Sequence, residues 1–260
     1  MGHNVDVISG PPYPDLHDGV KLIKLPGLDL FETFSFKDRF KKFKKKKSKH
    51  FDDYYEFFDA LIGGFPEPRT FGNRANTYLK DNNYDVIIDN QSISYGLIEI
   101  QKRFPLIEII HHPITFDFKF ELAASKKIKY KVSRYLWYSF LKMQKQIAPK
   151  LQSIITPSQS SKKGIIEEFN CKKDNITVIN NGIDTEEFSP IAGSVRDPNR
   201  LITTASADVP LKGLDYSLKA LKILKKDNPN IHLIVIGSYK KGGHTERLIK
   251  ELDIKDNIFF

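Results

Sequence analysis

Nine short apolar runs punctuate the chain: Val5–Ile8, Val20–Leu25, Asp85–Ile88, Leu106–Ile110, Ser153–Thr156, Ile176–Ile179, Leu201–Thr204, His232–Ile236 and Asn257–Phe260. Several are apolar at consecutive positions, the pattern of strands covered on both faces. Between them lie stretches that predict helices, over Arg69–Lys80, Tyr95–Arg103, Lys126–Ala148, Ser160–Phe169, Leu214–Lys226 and His244–Leu252. Strands alternating with helices predict an α/β protein with parallel sheets and crossover helices. No repeat of solenoid length is present.

The segment 185–199 breaks the alternation. It contains Pro190, Gly193 and Pro198 and has no periodicity, so it is expected to link a first domain, 1–184, to a second, 200–260. Three strands and two helices in the second make about half of a doubly wound domain. The start reads as a helix end followed by a second strand, so the first domain is expected to lack its opening strand. The end falls inside an apolar run. The expectation is a fragment of two Rossmann-like domains.

Composition narrows the classes. A hydrophobic content of 40% supports buried cores. A single cysteine, Cys171, excludes an intrachain disulfide and fits a reducing compartment, and its polar neighbours make it a bystander. There is no apolar run long enough to span a bilayer and no signal-peptide pattern, so a cytoplasmic protein is expected, soluble or peripheral at the inner face of a membrane. The net charge of +9 changes the picture only once it is located. Nine Lys/Arg and one Asp fall within Lys37–Lys49, and the rest of the chain is nearly neutral. A nucleic-acid-binding face spreads its basicity, so no nucleic-acid partner is expected. Phe36, Phe40 and Phe43 recur at helical spacing inside the basic segment. One reading is a helix docking on an anionic membrane surface, and the other is a solvated, partly disordered loop offset by Asp52, Asp53, Glu56 and Asp59. Lys126–Lys131 with Trp137 and Tyr138 is a weaker candidate of the same kind, read as a helix with a buried aromatic face.

Ligands of open α/β sheets bind beyond the C-terminal ends of the strands. That rule selects Gly10; Asp89, Asn90 and Gln91; His111 and His112; Pro157 and Ser158; Asn181 and Gly182; Ala205 and Ser206; and Gly237 with Ser238. So many small, polar and histidine residues at strand ends suggest a lined cleft. Turn chemistry alone would also account for the Gly, Asn and Pro among them.

The ordered set from Asp85 to Leu252 resembles glycosyltransferase family 4. Its elements are Ile176-Thr-Val-Ile-Asn-Asn-Gly-Ile-Asp184, then Phe188-Ser-Pro190, then Leu211-Lys212-Gly213 before a helix, then Pro229 and His232-Leu-Ile-Val-Ile-Gly237. The resemblance implies a GT-B fold and transfer of a sugar from a nucleotide-diphosphate donor with retention of configuration. It makes the nucleotide-sugar a co-substrate, with no metal and no other cofactor expected. It implies a carbohydrate or lipid-linked acceptor. Lys212 would neutralise the diphosphate, Gly213 would admit the backbone, and the following helix would offer free N–H groups. Ser206, Asn181, Gly182 and Gly237 would complete the donor side, and Gly10, Asp89, Asn90 and Gln91 the acceptor side. His111, or its neighbour His112, would face the donor sugar; a structural turn or a metal-ligand pair are the other readings of the two. The pattern departs from the family at Ala207, where many members carry an Arg five residues before the Lys. The diphosphate is then gripped by another cation, or by Lys212 and the helix alone. Because the family's glutamate pair would follow residue 260, this chain alone is expected to be inactive. An epimerase or phosphorylase of the same fold, and a non-catalytic sugar-nucleotide-binding relative, are the competing classes.

Overall fold

A computed structural model describes residues 2–31, 33, 35–204 and 212–260. The parallel α/β architecture expected from the sequence is what the chain adopts. All nine anticipated strands are present. The chain divides into two compact units, Met1–Phe118 with Ser125–Asn181, and Lys119–Ala124 with Gly182–Phe260.

In the first unit, β1 (Asp6–Ser9) pairs in parallel with β2 (Lys21–Lys24). Three helices follow: α1 (Phe36–Lys45), α2 (Phe51–Ile62) and α3 (Glu67–Tyr78). A four-stranded parallel sheet comes next, built from β3 (Ile87–Asn90), β4 (Leu106–Ile109), β5 (Ile154–Thr156) and β6 (Ile176–Val178) in that order. Its crossovers are α4 (Gly96–Gln101), then α5 (Thr115–Ala123), α6 (Ile128–Trp137) and α7 (Leu141–Ile147), then α8 (Gln159–Phe169). Leu97, Ile100, Ile110, Ile147, Ile154 and Ile165 form its core. Cys171 is buried in the same core, and that burial pushes its thiol up to about 12, out of the range of a working nucleophile.

Close approach of backbones fixes the helices on this sheet. A Cβ on Gly96 would collide with the backbone of Gly72, and one on Gly72 with the Ser94 side chain. The α3 and α4 helices therefore meet where neither carries a side chain. Gly164 on α8 does the same for the segment after β4, since a Cβ there would lie 2.7 Å from the Phe116 ring and 3.3 Å from Pro113.

Two helices, α2 and α5, fall where none was anticipated, and the basic segment takes the helical one of its two readings. Lys37–Lys49 is not a disordered loop: Phe36–Lys45 is helical, and Phe43 stacks on Phe57 of α2 at 4.5 Å. Charges knit this helix to its surroundings, with Lys42 on Asp29 at 3.0 Å, Lys46 on Asp53 at 2.6 Å, and Arg39 donating to the carbonyls of Thr33 and Ala60. Of the downstream acids read as an offset, Glu56 turns inward instead and accepts from Arg74, Thr70 and the Leu28 amide. The stretch Lys126–Ala148, expected as one helix, is broken by a tight turn at Tyr138–Phe140. That turn carries Tyr138 onto Phe118 at 5.1 Å and Phe140 onto Phe65 at 5.5 Å, while Trp137 stacks on Phe65 at 5.0 Å. A continuous helix would have pointed these rings in directions that one face cannot bury.

The second unit is a three-stranded parallel sheet in the order β7 (Arg200–Thr203), β8 (His232–Val235), β9 (Ile258–Phe259). The crossovers are α9 (Leu214–Asp227) and α10 (His244–Leu252). Leu214, Leu218 and Leu221 of α9 meet Leu233 and Val235 of β8 and Leu248 and Ile249 of α10 in its core. Among the described residues, no helix is long and apolar enough to cross a membrane.

Candidate functional site

In the first unit, the ends of β3 and β4 close on one another. Asn90 ends β3 and Gln91 follows it, and His111 and His112 come just after β4. The His111 ring, through Nε2, bonds the Asn90 Oδ1 at 2.8 Å. The His111 amide donates to the Gln91 Oε1 at 2.8 Å, and the Gln91 Nε2 donates to the His112 carbonyl at 3.0 Å. Residues selected separately as acceptor-side and catalytic thus form one hydrogen-bonded group. Both histidines are exposed, but they differ in environment. The His112 ring is engaged by Asp117 of α5 at 3.2 Å, whereas the His111 partner is a neutral amide. His111 can therefore present its ring to a ligand without breaking an ion pair, and Asn90 fixes its orientation.

Asp89 behaves differently. Its two carboxylate oxygens accept from the amide and the hydroxyl of Ser92, both at 2.8 Å, so it folds back into the turn. Gly10 ends β1, where the Leu25 amide donates to the Ser9 carbonyl at 2.9 Å. A Cβ there would make only ordinary contacts with Phe71 and Leu25. Ser158 caps α8 by accepting from the Ser161 amide at 3.0 Å, a structural role. Asn181 and Gly182 lie exposed beyond β6, and a Cβ on Gly182 would meet nothing within 4 Å.

In the second unit, the strand ends lead into the first turns of α9 and α10. Gly213 is the N-cap of α9 and has φ of +67°, a left-handed conformation that glycine adopts without a steric penalty. Lys212 immediately before it is exposed and makes no ion pair with a described residue. Lys212 thus stands ahead of a 14-residue helix, whose free first amides and positive dipole end can attract an anion. Gly237 follows β8, the exposed loop after it carries Lys240 and Lys241, and His244 opens α10. That loop closes on α10, where the Gly242 amide donates to the Glu246 Oε2 at 2.6 Å. The Glu246 carboxyl is held below the usual range by Lys250 and then by that amide. Ala205, Ser206 and Ala207 lie outside the described residues.

One pair has no counterpart in any sequence motif. His244 Nε2 and Asp215 Oδ2 are 2.7 Å apart and tie the first turn of α10 to that of α9. Asp215 places a negative charge at the positive end of α9, and His244 offsets it when protonated. Neither residue sits in a motif, and 29 positions separate them, so only the fold brings them together. Two shallow depressions, of about 320 and 360 Å3, lie elsewhere. Pro229, Asn230 and Asp256 help line one, and Asp81, Asn82 and Arg103 the other, so both sit near the N-terminal ends of strands. Among the described residues, no three His, Cys, Asp or Glu side chains cluster in a way that could hold a metal ion.

The profile of Glycosyltransferase Family 4 matches residues 1–187, and that of Glycosyl transferases group 1 matches residues 184–260. The MMP alpha-(1->4)-mannosyltransferase of Mycolicibacterium hassiacum is 38% identical over 98% of this chain, which spans 62% of that protein's length. Among solved structures, Anabaena HepE in complex with UDP aligns over 73% of this chain and 50% of its own, with 16% identity and a TM-score of 0.49. The pneumococcal O-GlcNAc transferase GtfA, in complex with UDP and GlcNAc, aligns over 74% and 36%, with 20% identity and a TM-score of 0.48.

Proposed function

The chain belongs to Glycosyltransferase Family 4, and from that premise we propose that it is part of a protein moving a hexosyl group from a nucleotide-diphosphate sugar to a carbohydrate or lipid-linked acceptor. The observation that carries the reading is Lys212, exposed and making no ion pair with a described residue, ahead of α9 at the C-terminal edge of a parallel sheet. The named activity of the Mycolicibacterium relative makes mannose the first sugar to test.

In the proposed reaction, Lys212, Gly213 and the first amides of α9 hold the diphosphate as negative charge grows on it. His111, oriented by Asn90, hydrogen-bonds the sugar or stabilises charge at its reacting carbon. Transfer proceeds on one face: the bond from the anomeric carbon to the diphosphate oxygen breaks, that oxygen takes the acceptor hydroxyl's proton, and the acceptor oxygen bonds the same face. Configuration is then retained with no protein nucleophile. Incubating the complete gene product with UDP-, GDP- and ADP-sugars and a panel of glycoside acceptors tests this. The expected result is transfer from one donor class with the anomeric configuration kept; an inverted product rules out the front-face route, and epimerised donor without transfer favours the epimerase alternative.

A second reading concerns where the acceptor lies. On α1, Lys37, Lys41 and Lys45 recur four residues apart and make no ion pair with a described residue, beside Phe36 and Phe40, which are 62% and 40% exposed. Such a stripe fits an anionic bilayer surface, at about 1 kcal/mol for each lysine near the headgroups. Replacing all three by Gln is expected to weaken flotation with anionic liposomes about 100-fold. Undiminished flotation of the triple variant rules this surface out.

A further inference from the structure

Glu108 is an acid that the apolar run around it conceals. It lies on β4 directly opposite Asp89 of β3, so the two side chains leave the sheet on the same face. Glu108 is 0% exposed, and neither of its oxygens reaches a hydrogen-bonding partner among the described residues. The nearest polar groups are the Asp89 carboxylate and the Gln91 amide. The same face of β5 carries Ile154 and Thr156, and the Thr156 hydroxyl is also buried without a partner. Asp89 is the charged group that acts on Glu108.

Two bare carboxylates cannot share such a place. A buried, unsolvated charge is costly, and a like charge beside it adds to the cost. Both effects, burial first and Asp89 second, raise Glu108 well above the usual carboxylate range. A proton on Glu108 removes the repulsion and turns the acid into a donor. Asp89 can accept it, because each carboxylate oxygen holds lone pairs beyond those used by Ser92.

The turn above the pair is strained. Gln91 and Ile93 have φ of +64° and +45°, in the left-handed region where a β-branched residue is an outlier. Such conformations persist only where the surroundings over-determine them. Here Ile93 is buried, Ser92 is held by Asp89, and Gln91 is bonded to the backbone of His111 and His112. The same turn delivers Asn90 to the His111 ring. We propose that Glu108 is a positioning residue: it stands protonated beneath the β3–α4 turn, donates to Asp89, and so clamps the turn that orients His111.

The role for His111 rests on the glycosyl-transfer reading; the shared proton does not. Both are tested in the complete gene product with Glu108→Gln, which keeps a neutral donor, and Glu108→Ala, which removes it. The infrared spectrum of the wild type at neutral pH is expected to show the carbonyl stretch of a buried carboxylic acid that Glu108→Gln abolishes; its absence overturns the proton. The imidazole resonances of His111 are expected to shift in Glu108→Ala and to stay in place in Glu108→Gln; equal behaviour of the two variants overturns the clamp. Turnover is expected to fall at least tenfold in Glu108→Ala and to remain within twofold in Glu108→Gln, with the wild type alone losing activity as pH rises to ionise Glu108. A protein in which no variant, wild type included, transfers sugar would refute the proposed function, while the infrared and histidine signals would still decide the clamp.

Discussion

Glu56→Ala is expected to destabilise the first unit by about 3–5 kcal/mol, because it strips a buried ion pair of one partner. The Glu56 side chain is 1% exposed, and it accepts from Arg74 at 2.6 Å, from Thr70 at 2.6 Å and from the Leu28 amide at 2.7 Å. Removing it leaves the Arg74 guanidinium at 16% exposure without its carboxylate, and the segment after β2 without its anchor. Glu56→Gln keeps the shape and part of the hydrogen bonding, so it is expected to cost less. Urea unfolding followed by far-UV circular dichroism measures both; a loss under 1 kcal/mol for the alanine variant would contradict the pairing. The same cluster sets a pH trend. Burial, then Glu56 and Asp59, raises Glu67 to about 7 against the lowering effects of its own backbone hydrogen bond and of Arg74. The folded state thus holds a proton that the unfolded chain releases near 4.5, so this contribution is complete below about 4.5 and is lost as pH rises towards 7. Glu67→Gln is expected to flatten the stability profile across that window.

The strands were legible because short apolar runs at successive positions stand between turn residues, although some of those side chains, Ile88 and Ile202 among them, are exposed. Helices that pack through aromatic rings were harder to see. Thr115-Phe-Asp-Phe-Lys-Phe-Glu-Leu-Ala123 alternates apolar and polar residues with the period of a strand, yet it folds as α5. Tertiary contacts outweigh the pattern: Phe116 lies against α8 at Gly164, and Phe118 meets Tyr135 and Tyr138. In α2, rings at 51, 54, 55, 57 and 58 spread over more than one face and blur the helical stripe. The same division runs through the candidate site. The strand-end rule finds Asn90, Gln91 and His111, since a loop's place in the sequence fixes its end of the sheet. It cannot find their mutual bonds, which depend on the register of β3 against β4. Glu108 stayed hidden for the opposite reason, since one acid inside Leu-Ile-Glu-Ile-Ile reads as an interruption of a core strand.

Lys212→Ala is expected to lower kcat/KM for the nucleotide-sugar about 100-fold, corresponding to about 3 kcal/mol of lost charge-assisted contact with the diphosphate. The loss should be at the upper end for a single lysine, because the resemblance departs at Ala207 and leaves no arginine there to share the phosphate charge. What remains is the N-terminus of α9, whose positive end Asp215 partly opposes, and the cations of the loop before α10. The effect is expected to grow as salt is lowered, and to appear equally in the affinity for the free nucleoside diphosphate measured by calorimetry. Lys212→Arg keeps the charge but replaces a mobile point with a planar fork, so a partial recovery is expected. Because Lys212 is exposed and makes no ion pair with a described residue, its removal should leave thermal stability within about 0.5 kcal/mol of the wild type, which separates lost binding from lost folding. Unchanged nucleotide affinity in the alanine variant would move the phosphate site away from α9, and with it the observation on which the proposed reaction stands.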